Sequence, residues 1–477
     1  MTNKEGCFLT PKVQNYKKIW FFTDLFVTLS PSYKPKYKKM RQGLLILAIG
    51  CTMAVQAQKA PVYETSAKDE IAANRFLAGS NYVDYDRQLP TKALTPSPKN
   101  YEPYYMSHYG RHGSRWLIGD GDYTHPITTL KKAHEQGKLT ALGEETLRKL
   151  EAFYPTSHER LGDLTTVGER QHHGIGKRMT QNFPEIFKAK DVKIDARSTT
   201  VFRCILSMIA ECEELTAANP TARIHNDVSQ SLQYYLNQPW DGIVKELGRG
   251  TGDKEYEAAQ LKYTHPARLM GLLFNDQDYV YNNVKAGDLM RQLFHVACNM
   301  QSHDTDIEFF SLFTDEEVYD LWRIQNIGWY LDYGPSPVSG EKMPFSQLNL
   351  LKNIIATADT VTQTQATLRF GHEVCVMPLA CLLELDNCGM AVQNLDELDT
   401  YWRNYRIFPM GCNIQLIFYR PKKGKTGDIL VKALLNEREA YMPIDTDNWP
   451  YYKWQDLRQY YLDKLAQFDS ENEAKKH

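Results

Sequence analysis

Apolar and polar residues along this chain fall into two periods. Val192-Lys193-Ile194-Asp195-Ala196-Arg197 and Ala366-Thr367-Leu368-Arg369-Phe370 alternate and predict strands, as does the apolar run Tyr104 to Tyr109. Asn413–Tyr419 and Ile429–Leu435 predict two more strands, paired through the basic turn 422–428. That turn lacks Walker-loop spacing and joins two strands, so it is no nucleotide loop. Residues 198–207 predict a helix entered through a Ser/Thr cap, and 165–179 a second helix whose Val167, Ile175 and Met179, with Leu164, face a core. From about Asn219 to Leu348 the pattern turns to helical segments with polar joints, among them 256–261 and 288–294.

Three of the strand-like runs end in candidate chemistry. In open α/β sheets, ligands gather beyond the carboxyl ends of strands, so residues some 260 positions apart can meet there. The first is Arg111-His112-Gly113-Ser114-Arg115. Guanidiniums hold phosphate oxygens bidentately, and a neutral imidazole can attack phosphorus. A solvated loop that gathers Arg and His by chance is the bland alternative for this motif taken alone. The second run is followed by Arg203, with Arg197 as a nearby competitor that reads better as a strand-end charge. The third ends in His372-Glu373. His172 and His173 read as a helix surface or pocket wall in preference to metal ligands.

Arg-His-Gly-x-Arg, led in by Ser107-His108-Tyr109-Gly110, resembles the signature of the histidine acid phosphatases, most closely the multiple inositol polyphosphate phosphatases and histidine-type phytases. Leu164-Thr165 to Gln171 resembles the family's L-T-x-x-G-x-x-Q helix, and Arg203 followed by Ser207 its second signature. The resemblance implies a phosphoglycerate-mutase-like mixed α/β sheet flanked by helices, with an inserted, mainly α-helical cap. It implies that His112 is the nucleophile, that Arg111, Arg115, Arg203 and His372 bind phosphate, and that Glu373 donates the proton, with no metal or organic cofactor needed. Three departures stand out. The usual Pro two residues past the second Arg is Leu117, the His-Glu pair has no spacer residue, and Ile118 and Gly119 stand where some bacterial phytases carry Thr and Lys.

Composition narrows the picture. A chain of 477 residues with 42% hydrophobic residues can bury a large core, and a formal charge of −2 disfavours a nucleic-acid partner. Lys38, Lys39 and Arg41 followed by the apolar stretch Leu44–Val55 and a small residue at Ala57 predict a signal peptide over 40–57, too short to span a membrane. Residues 1–39 then form an extension absent from the mature chain, and the protein is periplasmic or secreted. Cys51 offers a lipid-anchor alternative, with the soluble form preferred. Of nine cysteines, seven remain after Cys7 and Cys51, and an odd number without C-x-x-C spacing predicts core thiols more than a disulfide framework.

The expected organisation is an α/β core over 58–218 and 349–477 interrupted by a helical cap over 219–348. The expected function is a phosphomonoesterase acting through phosphohistidine on a small-molecule substrate, with phytate favoured. A broad-specificity acid phosphatase is the alternative, and a silent phosphate- or sugar-phosphate-binding protein a second. Glu373 is expected to have a raised pKa suited to an acid.

Overall fold

The computed structural model describes residues 63–474, so the expected extension, signal peptide and Cys51 lie outside the described residues. Eight strands build one mixed sheet: β1 Tyr101–Arg111, β2 Lys193–Ser198, β3 Arg223–Asp227, β4 Ala366–Gly371, β5 Asn413–Pro421, β6 Leu430–Leu435, β7 Arg438–Ala440 and β8 Tyr452–Lys453. Their order is β3-β2-β4-β1-β5-β6-β7, with β8 also on β6. The neighbours β3, β2, β4 and β1 run parallel, and β5 then reverses against β1. Parallel neighbours need crossover connections, which the helices supply. The predicted β5–β6 hairpin forms, in register from Ile414↔Leu435 to Tyr419↔Leu430.

The helices that matter for the site are α1 Thr166–Asn182, α2 Phe202–Ala218, α3 Asp253–Tyr263, α4 Ala286–Asn299, α5 Asp315–Tyr333, α6 Leu348–Thr360, α7 Glu373–Leu382 and α8 Trp454–Ala474. One sheet face buries Met106, Ile194, Leu368 and Phe370 with Ile175 and Met179 of α1 and Met208 of α2. The other face carries Tyr105 and Tyr109 in a larger core with α6, α7 and α8. Strand alternation at period 2 produces this division.

Two expectations change. The stretch expected as helical insertion contributes an edge strand, β3, because α2 leads back parallel to β2 with Lys193 opposite Arg223. The Ser/Thr cap of α2 does not form. Val201 is the N-cap and makes no side-chain bond, since the Ser198 hydroxyl bonds the Thr199 carbonyl and the Thr199 hydroxyl turns to His372, 3.4 Å from Nε2. Beyond β3, helix α5 packs against α3 and α4, and α4 and α5 pack on residues 75–82. Among the described residues, no helix is long and apolar enough to cross a membrane.

Candidate active site

The carboxyl ends of β1, β2 and β4 lie side by side, because Arg111 pairs with Gly371 and Ser198 with Phe370. The next residue of each strand therefore enters the same crevice: His112, Thr199 and His372. Backbone bonds fix them, with His112 N donating to the Gly371 carbonyl at 3.0 Å and Thr199 N to that of Phe370 at 3.0 Å. The two imidazoles meet edge to face, 5.6 Å apart.

The loop after β1 is clamped from below. Gly113 and Gly168 approach so closely that a Cβ on Gly113 would lie 2.3 Å from the Gly168 carbonyl oxygen, and one on Gly168 would lie 2.3 Å from that of Ser114. Thr165 caps α1, accepting from Gly168 N, and its hydroxyl also donates to the Ser114 carbonyl. Gln171 accepts from Ser114 N at 2.9 Å, and Ser207 of α2 accepts from Gly113 N at 3.1 Å. Both later segments, 165–171 and the start of α2, thus serve to hold the backbone of the first motif.

Side-chain geometry follows from that clamp. His112 Nδ1 lies 2.8 Å from its neighbour's carbonyl at Gly113, which fixes the proton on Nδ1 and leaves Nε2 with a free lone pair. Nε2 lies 3.5 Å from Glu373 Oε2. The same carboxylate lies 3.0 Å from Arg111 Nε and 4.0 Å from Arg115 Nη2. Arg111 is anchored through Nη1 to the carbonyls of Asn81 at 2.5 Å and Phe408 at 3.2 Å. Its Nη2, and the Nε atoms of Arg115 and Arg203, are buried without a hydrogen-bond partner. Such donors await acceptor oxygens.

Burial and charge set the protonation states. Burial, helped by Arg203 and Arg111, holds His112 well below the usual imidazole range despite Glu373, and burial brings His372 down to about 4. Burial and the facing Arg115 and Arg111 also lower Arg203. Glu373 departs from expectation. Burial pushes its carboxyl up, but Arg111, the adjacent His112 ring and Arg115 together hold it well below the usual carboxylate range. Its place in the first turn of α7 adds the positive end of a helix. The expected acid therefore stands as a carboxylate held by the guanidiniums, contrary to the raised pKa the sequence suggested.

All six residues expected from the sequence gather here. Arg111, His112 and Arg115 are buried, His372 and Glu373 nearly so, and Arg203 is half-buried with Nη1 3.3 Å from the Gly162 carbonyl. His112, His372 and Glu373 also form the one group among the described residues whose ligand atoms, within 4.8 Å of one another, could hold a metal ion. Arg197 stays outside, paired with Asp195 at 2.6 Å and Tyr235. His173 pairs with Glu214, and His172 is buried behind the sheet against Glu211. Gln171 and Ser207 close the two later motifs, whereas Thr199 and Tyr82, whose ring lies 5.3 Å from the Arg115 guanidinium, carry no signal that would have singled them out from sequence. All seven cysteines among the described residues are free and buried, with Cys204 beneath His372 at 3.7 Å.

No family model and no curated protein sequence matches this chain. Solved structures do. The multiple inositol polyphosphate phosphatase of Bifidobacterium longum, solved with inositol hexasulfate, superposes with a TM-score of 0.66 at 17% identity over 80% of this chain and 97% of that one. Its phosphate complex gives 0.66 at 18% over the same shares, and the D. castellii phytase 0.61 at 15% over 82% of this chain and 85% of its own. The chain therefore has the fold that these phosphatases share, the histidine acid phosphatase fold.

Proposed function

We propose that this protein is an exported phosphomonoesterase that works through a phosphohistidine, on phosphorylated inositol rings, the class that includes phytate. The observation that carries this reading is the unpartnered Nε2 of His112, buried among three guanidiniums that retain free donors. A binding protein needs the cations but not a tautomer-fixed lone pair aimed among them.

In the first step the Nε2 lone pair forms a bond to phosphorus while the ester P–O bond breaks. Arg111, Arg115, Arg203 and His372 bond the nonbridging oxygens, and the departing oxygen takes a proton from Glu373. Glu373 acquires that proton because a bound phosphoryl group takes over Arg111 and Arg115, removing what depresses its pKa. Water then attacks phosphorus, the P–N bond breaks, and the Glu373 carboxylate accepts the water's proton. The arginine cage supplies the charge compensation, so the reaction as written draws on no metal. Helices α3 to α5 and their neighbours in 219–348 act as the cap over this crevice.

A broad-specificity acid phosphatase is the second reading, favoured by the absence of Lys and Arg at Ile118 and Gly119 just past the first motif. Phosphate release from inositol phosphates and from p-nitrophenyl phosphate tests both. Activity on the aryl ester alone selects the second, and none on either removes both.

A further inference from the structure

Two adjoining cavities, of about 340 and 310 Å³, share Tyr256, Gln325 and Trp329, and the second is closed on one side by Asn81 and Tyr82. Those two residues also border the catalytic crevice, since the Asn81 carbonyl accepts from Arg111 and the Tyr82 ring faces Arg115. The second cavity and the guanidinium cage thus share the Asn81–Tyr82 wall, and the first cavity adjoins the second. Their volumes suit a small-molecule site.

The lining is poor in available cations. Asp253 and Asp332 line the first cavity with no Lys or Arg, and Arg249, over the Tyr333 ring, already faces Asp332 and Asp241. Arg291 is the one Lys or Arg of the second, and its Nη atoms are taken by Asp288 and Thr264. The opposite flank is apolar. Ile118 and Phe202 are 56% and 77% exposed, Ile118 and Arg203 both border Gly162, and Phe202 directly precedes Arg203.

A ring bearing six phosphates would face carboxylates on one flank and apolar side chains on the other once one phosphate sat on the arginines. Free hydroxyls suit the same surroundings. They can donate to Asp253 and Asp332 and exchange bonds with Gln325 and Asn81, while the ring's C–H face packs on Tyr256 or Trp329. We propose that the preferred substrate is a ring polyol carrying few phosphates, its free hydroxyls turned into this cavity, so that the protein consumes what more cation-rich phosphatases leave behind. This rests on the phosphomonoesterase reading above.

The test compares kcat/KM of the purified protein for myo-inositol monophosphate, bisphosphate and hexakisphosphate, with p-nitrophenyl phosphate as a check on the chemistry, at low and high salt. The less phosphorylated inositols should exceed the hexakisphosphate by about tenfold or more, and Asp253→Lys should narrow that ratio at low salt but not at high salt. A hexakisphosphate preference overturns the proposal while leaving the phosphatase intact. An unchanged ratio in Asp253→Lys removes the cavity as the ring's seat. No release from any ester, the aryl one included, overturns the phosphatase reading and this proposal with it.

Discussion

Two buried histidine–glutamate pairs flank the sheet, and only one of them has the surroundings of a reactive site. His112 and Glu373 stand in the crevice, 3.5 Å apart, with Arg111 and Arg115 on the carboxylate. His172 and Glu211 lie behind it, 3.1 Å apart, and among the described residues Glu211 has no other ion-pair partner. Burial raises the carboxyl pKa of Glu211, whereas the guanidiniums reverse that effect at Glu373. The pair with surplus cations can receive an anion, and the pair without them only satisfies itself. A buried His–Glu contact is thus uninformative until the charges around it are counted.

The largest expected effect separates the two pairs by activity. His112→Ala should cut turnover by about 10³-fold or more, because among the described residues no other imidazole has an unpartnered nitrogen beside the guanidiniums. His172→Ala should leave turnover within a few-fold and instead lower stability by about 1–3 kcal/mol, as Glu211 loses its partner. Steady-state kinetics and denaturant unfolding on both variants check this, and equal activity losses would erase the distinction.

Next comes the proton. Glu373→Gln should reduce kcat by about 10²-fold with little change in KM, whereas Glu211→Gln should change neither. The wild type should also take up a proton when phosphate binds, since the anion displaces Arg111 and Arg115 from the carboxylate. Calorimetry in buffers of different ionisation enthalpy reads this directly. The uptake should vanish in Glu373→Gln and persist in Glu211→Gln.

The smallest effect has opposite signs at the two carboxyls. Glu373 has a folded pKa below the ordinary 4.5, so its contribution to stability is present above that pH and is lost as pH falls through the folded value. Glu211 has a raised folded pKa, so its contribution is fullest below 4.5 and is lost as pH rises through the folded value. Unfolding free energies against pH should therefore fall less on acidification in Glu373→Gln than in the wild type, and decline less towards neutral pH in Glu211→Gln.

Much of this arrangement was legible in the chain. Strand alternation located β2, β4, β5 and β6, and each strand-end motif reached the shared crevice because parallel strands bring their carboxyl ends together. What escaped was tertiary. The edge strand β3 is mostly exposed and lies among helical patterns, so its periodicity is weak. The support from Gln171 and Ser207 depends on how α1 and α2 pack against the loop at Gly113. The depressed carboxyl of Glu373 depends on an ion pair spanning 262 positions, which no local pattern reports.

The central claim is that His112 takes the phosphoryl group. The direct measurement is to quench the protein in alkali during turnover of a ³²P-labelled ester, which preserves phosphohistidine, and to map the labelled peptide. Label on the peptide containing His112, absent in His112→Ala and undiminished in His172→Ala, is the predicted result. Label on another residue, or its persistence in His112→Ala, would contradict the account.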